Sequence, residues 1–111
     1  MTTLLKNTII VNEGSQSPSD LRIKNGRIEL IAAHIQAKPS DQVIDAKGCL
    51  LLPGMIDDQV HFREPGLVHK GCIATESRAA VAGGITSYME MPNVKPSTTT
   101  AQALDDKKNI A

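Results

Sequence analysis

Aromatic side chains are nearly missing: 111 residues hold one Phe, one Tyr and no Trp, 2% in all. Any core is therefore expected to be built from Ile, Leu, Val, Met and Ala. Cysteine is scarce as well. Cys49 and Cys72 form no CxxC and no metal-type spacing, so two buried, reduced thiols in a cytosolic protein are expected rather than a disulfide framework. Charge of either sign is not in excess, since twelve basic residues balance twelve acidic ones. That balance offers no electrostatic argument for nucleic acid or an anionic membrane, and suits a small metabolite held by a few local charges. No run approaches the ~18 apolar residues that span a bilayer. The stretch Met1 to Asn12 has one Lys and a short apolar run, but no small-residue cleavage site follows it. A strand is the better reading. What is present is ordinary globular usage, 41% hydrophobic and 22% charged.

The first fifty residues read as all-β. Leu4 to Val11 is rich in Ile, Val and Leu, and Glu13 to Ser19 is a turn-forming stretch. Leu21 to Lys24 alternates apolar and basic, Asn25-Gly26 signals a hairpin, and Arg27 to Ala32 returns as the partner strand. Pro39 to Asp41 turns again, before the short runs Val43-Ile44 and Cys49 to Leu52. Such a meander predicts a small β-sandwich-like domain, or a partial barrel, over residues 1–52.

From residue 53 the pattern changes. Met55 to Val60 reads as a buried strand and Ile73 to Ala82 as a helix ended by Gly83-Gly84. Ile85 to Glu90 is a second strand, Met91 to Ser97 a loop, and Thr100 caps a final helix containing Leu104. Strand, loop, helix, twice over, is the grammar of a parallel α/β unit. Residues 53–111 are thus expected to be the first two β/α units of a barrel. Closure takes eight units and about 250 residues, and the helical pattern is still running at Lys107 to Ala111, so the segment reads as truncated. Its open apolar faces are expected to promote association.

The stretch richest in chemistry is Gly54 to Gly66, GMIDDQVHFREPG. Residues two apart on a strand share a side, so Asp57, Gln59 and His61 are expected on one face at the strand's C-terminal end. In a β/α barrel that end is the active-site rim. Bland readings compete at each position. A lone His is usually structural, and Arg63 alone would be a surface ion-pair residue. Asn93 would simply shape the turn after Pro92, and Asp57 would bond backbone or orient a ligand from behind. Glu64, Pro65 and Gly66 form the loop, while His34, His69 and Lys70 read as solvated. Gly83-Gly84 is helix termination and not a phosphate cradle, because no GxGxxG is present.

PGMID followed by QVHFREPG, then AAVAGGITS and MEMPN, resembles the dihydroorotase branch of the amidohydrolase superfamily, from about Leu51 to Thr100. The likeness extends loosely over the N-terminal strands, which look like the small β-domain preceding that superfamily's metal-dependent (β/α)8 hydrolase barrel. It implies a dihydroorotase-like enzyme interconverting N-carbamoyl-L-aspartate and L-dihydroorotate in pyrimidine synthesis. By the same resemblance His61 matches the second His of a His-x-His zinc motif, Arg63 the Arg that clamps the substrate carboxylate, and Asn93 the Asn at the same end. A planar guanidinium can grip a carboxylate with two parallel hydrogen bonds. The departures are specific. Gln59 stands where the family's first His is found and is a weak, neutral zinc ligand, so of one or two zinc ions one position is weakened. Asp58 is usually apolar, Val68 is commonly Thr, and Gly71-Cys72 replaces an acidic pair.

No catalytic acid or base is assigned within the chain, since the remaining His ligands and a catalytic Asp are expected beyond Ala111. The 111 residues alone are expected to be inactive. Two other readings stay open. Gln59 allows a non-catalytic, dihydroorotase-like subunit of a transcarbamoylase assembly, and PG-x-ID is shared with allantoinases and hydantoinases. A homo-oligomer or transcarbamoylase partner would fit, with no nucleic acid and no membrane.

Overall fold

In the computed structural model, which describes residues 1–111, the chain divides into two compact units, Met1–Pro53 and Gly54–Ala111. The first is all-strand. β1 (Thr2–Asn12) pairs antiparallel with β2 (Ser15–Lys24), and β2 with β3 (Arg27–Ala32). On the other edge of β1, β4 (Asp41–Asp45) and the two-residue β5 (Leu50–Leu51) pair in parallel, one after the other. The result is one five-stranded sheet: β1 to β3 form the expected meander, but β4 and β5 return parallel to β1, and no second sheet makes the sandwich-like domain expected. The reason is the length of β1. Its eleven residues serve β2 along one edge and two short strands in turn along the other, so no strands are left for a second sheet.

The predicted turn Glu13 to Ser19 also contracts. Only Glu13 and Gly14 turn, both with positive φ (48° and 74°), as a tight two-residue hairpin demands. Ser15 already belongs to β2. Pro18 is tolerated in that strand because β3 pairs only from Asp20 onward, which leaves this half of β2 as an edge.

A bulge at Asn7, φ 56°, shifts the β1–β2 register between Leu5 and Thr8. The buried carboxylate of Asp20 absorbs the amide this frees, accepting from Asn7 N and Ile35 N at 2.9 Å each. Across the sheet, Arg22 and Asp41 form a buried ion pair at 2.9 Å, and Arg22 also donates to the Gln36 carbonyl. Leu4, Leu21 and Ile35 are the buried apolar residues here. Both cysteines are free, but Cys49 is exposed and Cys72 half-buried. They sit in a turn and at a helix start rather than in a core, which corrects the expectation of buried thiols.

The second unit alternates. β6 (Met55–Val60) leads through a loop to α1 (Ile73–Ala82), then β7 (Ile85–Glu90) and, after a second loop, α2 (Ala101–Ile110). β6 and β7 are parallel, as the strand–helix grammar requires. Gly83 and Gly84 close α1, Gly84 at φ 89°. The Thr100 hydroxyl accepts from Ala103 N at the start of α2. The core is Val60, Phe62 and Ile73, with Ala80 packed against them. The single Phe is therefore at its centre, and its ring meets that of Tyr88 edge-on, centroids 4.6 Å apart. An all-aliphatic core was expected. The ring instead packs with the aliphatic Val60 and Ile73. Met55, Ile56 and Met89 remain more than half exposed on the sheet. No helix is long and apolar enough to cross a membrane.

Two measurements check this account. Phe62→Ala should lower the unfolding free energy by about 3–4 kcal/mol, read from denaturant midpoints; a loss under about 1 kcal/mol would mean the ring is not a core element. Acid should weaken the first unit. Hydrogen bonds from Ile35 and Lys38 amides hold the Asp20 and Asp41 carboxyls below their ordinary value of 3.8. Depressed carboxyls give stability that is complete above the unfolded value and lost as pH falls through the folded one. Stability should thus erode below about pH 4, and Asp41→Asn should flatten that slope.

Candidate functional site

The residues of interest lie where β6 and β7 end. Between Asp57 and Val60 the register gains one residue on β6, leaving Asp58 and Gln59 without ladder partners. The Asp57 carboxylate turns back and accepts the Gln59 amide at 3.0 Å. This bulge breaks the period of two, so strict alternation does not carry Asp57 onto the face of His61, contrary to expectation. Gln59 and His61 keep their relation. Both are exposed, and they flank the buried Val60. Asp58 is exposed.

Four contacts tie the two strand ends to each other and to α2. Met91 N donates to the Val60 carbonyl at 3.0 Å. Phe62 N donates to Glu90 Oε1 at 3.0 Å. The second Glu90 oxygen pairs with the Lys107 ammonium, which also donates to the Met91 carbonyl at 3.3 Å. Lys107 is buried, and burial pushes it below the usual lysine range; the Glu90 carboxylate is its compensating charge. Sequence reasoning missed this pair. The available signal was an acidic residue set within the otherwise apolar run Tyr88 to Met91.

The loops then dock on each other. Lys95 N donates to the Pro65 carbonyl at 3.1 Å, and Gly66, at φ 80°, lies so close that a Cβ there would sit 2.0 Å from the Lys95 carbonyl oxygen. Glu64 reaches forward to accept the Ile73 amide at 2.9 Å, satisfying a free donor at the start of α1. Arg63 is held at φ 72°, a left-handed conformation that costs a side-chain-bearing residue roughly 1–2 kcal/mol. Its carbonyl accepts from Leu67 N at 3.0 Å, while the guanidinium of this half-buried residue takes no part in the chain's ion pairs. Two cis peptides, Glu64-Pro65 and Lys95-Pro96, lie in these loops.

Docking brings His61 and Asn93 together, Nδ1 to Oδ1 at 2.9 Å. Nε2 is left available, which is how an imidazole is presented to a metal when its other nitrogen is held. The donors at this strand end are that nitrogen and the neutral Gln59 oxygen, and no three His, Cys, Asp or Glu side chains converge. A catalytic zinc takes three protein ligands. His61 fits one corner of such a site, and the remaining ligands are not among these residues. A cavity of about 560 Å³ lies elsewhere in the unit; Tyr88, Glu90, Thr98, Leu104 and Lys107 line it, and none of Gln59, His61, Arg63 or Asn93 does.

Comparison with known proteins agrees with the motif. A family described as dihydro-orotase-like matches residues 48–109. A dihydroorotase of Methanosarcina acetivorans is 43% identical over 107 residues, covering 96% of this chain and 23% of that protein. One from Anoxybacillus flavithermus is 42% identical over 106 residues, covering 95% and 25%. Among solved structures, the L-hydantoinase (dihydropyrimidinase) of Arthrobacter aurescens superposes with a TM-score of 0.91 at 33% identity, over 98% of this chain and 24% of its own. The chain thus spans about a quarter of the length of the relatives it matches.

The loop docking can be tested directly. Gly66→Ala should cost roughly 2–4 kcal/mol of unfolding free energy, because strain and a backbone clash add. Gly26→Ala, at φ 73° but with open space around its Cβ, should cost only about 1 kcal/mol. Equal losses would show that the loops do not pack as described.

Proposed function

The chain belongs to the dihydro-orotase-like family, and from that premise we propose that the whole protein interconverts N-carbamoyl-L-aspartate and L-dihydroorotate. The observation that carries this reading is the contact of His61 with Asn93 across the docked loops that follow β6 and β7, with Arg63 in the first of those loops. Arg63 supplies a charged fork that no acidic side chain of the chain occupies, and its strained backbone is what a built substrate site tolerates. The guanidinium binds the substrate carboxylate through two parallel hydrogen bonds. The Asn93 amide donates to the same group, and together they orient the ring amide. His61 Nε2, with Gln59 as a weak neighbour, would help hold a zinc ion. When bound, such an ion supplies a Lewis acid and lowers the pKa of water. No carboxylate of this chain is assigned the proton transfer; that role falls to another part of the whole protein. Residues 1–52 act as the small β-domain and 53–111 as the opening of the barrel, in a cytosolic enzyme.

Gln59 supports a second reading, a non-catalytic dihydroorotase-like subunit, and the hydantoinase likeness supports a third. Assays of the whole, metal-loaded protein with L-dihydroorotate and with an unsubstituted hydantoin separate them. The expected result is turnover of dihydroorotate. Arg63→Gln should lower its kcat/KM roughly 10- to 150-fold, the loss of a charge-assisted pair worth about 1.5–3 kcal/mol. Turnover of the hydantoin alone would select the third reading, and turnover of neither the second.

A further inference from the structure

In a parallel ladder the rungs are slanted and evenly spaced, so each one fixes where the next should fall. Met91 N donates to the Val60 carbonyl at 3.0 Å, and one step on the Phe62 amide should donate to the Met91 carbonyl. It does not. The amide turns to Glu90 Oε1 at 3.0 Å, and the Met91 carbonyl takes the Lys107 ammonium at 3.3 Å. The other Glu90 oxygen pairs with that same ammonium. Donor and acceptor of the next rung are thus joined through an ion pair. We propose that Glu90 and Lys107 are positioning residues: their pair is inserted between the strand ends in place of that rung, and its width sets the contact of His61 with Asn93.

The replaced rung lies between the two residues in question. His61 immediately precedes Phe62, and Asn93 follows Met91 by two positions. Closing the rung would bring Phe62 N and the Met91 carbonyl to about 2.9 Å and draw both strand ends together. The cost of the pair points the same way. Its side chains are only 8% and 9% exposed, and a buried ion pair often stabilises no more than apolar residues of the same volume. Lys107 is also the buried residue of α2, so the helix meets the strand ends through a charge while Leu104 stays 47% exposed. Apolar side chains could hold the helix. They could neither accept from the Phe62 amide nor donate to the Met91 carbonyl, so they could not keep the rung open.

Crystal structures of the whole protein, natural and as the double variant Glu90→Leu/Lys107→Met, test this. In the variant Phe62 N should bond the Met91 carbonyl directly and the His61–Asn93 contact should be lost, with no fall in the denaturation midpoint. Glu90→Gln/Lys107→Gln can repeat the order of donors and acceptors without charge. It should keep the rung open and the contact made, and it decides the matter if the first variant does not fold. In both variants rung and contact must change together. Either without the other overturns the proposal, as does a direct rung in the natural protein or an open one in the Leu/Met pair. The effect on activity rests on the proposed function. There kcat/KM for L-dihydroorotate should fall about 10- to 100-fold in the Leu/Met pair at undiminished stability, a split that a purely structural pair would not give. An unchanged kcat/KM on a closed rung overturns the positioning role. A natural protein that holds the inserted pair yet turns over no cyclic amide sinks the functional reading, and the structures alone then decide this one.

Discussion

The Glu90 carboxylate is the point on which the second unit depends. One oxygen takes the Phe62 amide as the chain leaves β6, and the other takes the buried Lys107 ammonium from α2. Removing either partner would leave a charge in a desolvated place, which costs far more than an exposed pair returns. The carboxylate thus couples three segments that the ladder of two strands cannot hold by itself. It also places the core ring. Phe62 is drawn inward beside Val60 and Ile73, and with strand alternation resumed after the bulge, His61 between them is turned to the open side.

From that anchor the rim follows. The bulge at Asp57 to Val60 re-aims the strand just before His61, and Asp57 itself supplies the acceptor that the bulge would otherwise leave wanting. The loop beyond is tightened by Gly66 against the Lys95 backbone, with Arg63 held in a conformation it would not choose. Such backbone strain persists only where the surrounding contacts over-determine it. The first unit applies the same economy. Asp20 absorbs the amides of Asn7 and Ile35, and Asp41 neutralises Arg22.

Much of the local structure was legible. Helix α1 is readable from small and apolar residues at helical spacing followed by Gly83-Gly84, and α2 from Thr100, because caps and breakers act within a few residues. The β7 and β6 boundaries follow from apolar runs ended by Gly or Pro. The site motif was legible through its resemblance, while its contacts were not. A bulge leaves no composition signal, so Asp57 was expected to share the face of His61. Pro18 and the serines near it imitate a turn, yet form an edge strand, since pairing depends on what lies alongside. The single Phe was discounted by counting residues when position decides packing.

Composition, periodicity and the run from Gly54 to Gly66 by themselves determined the order of elements, the parallel grammar of the second unit and its family. These are properties of short windows, where side-chain spacing and turn chemistry act without distant help. Only tertiary structure decided that the first unit is one sheet around β1, that Glu90 at the end of β7 and Lys107 on α2 meet, and that Asn93 faces His61 across a sequence separation of 32. Such contacts depend on loop closure and burial, which charge or exclude side chains according to what the rest of the chain has already filled. HFREPG could be recognised as a family motif from its letters; the contact of its histidine with Asn93 could not.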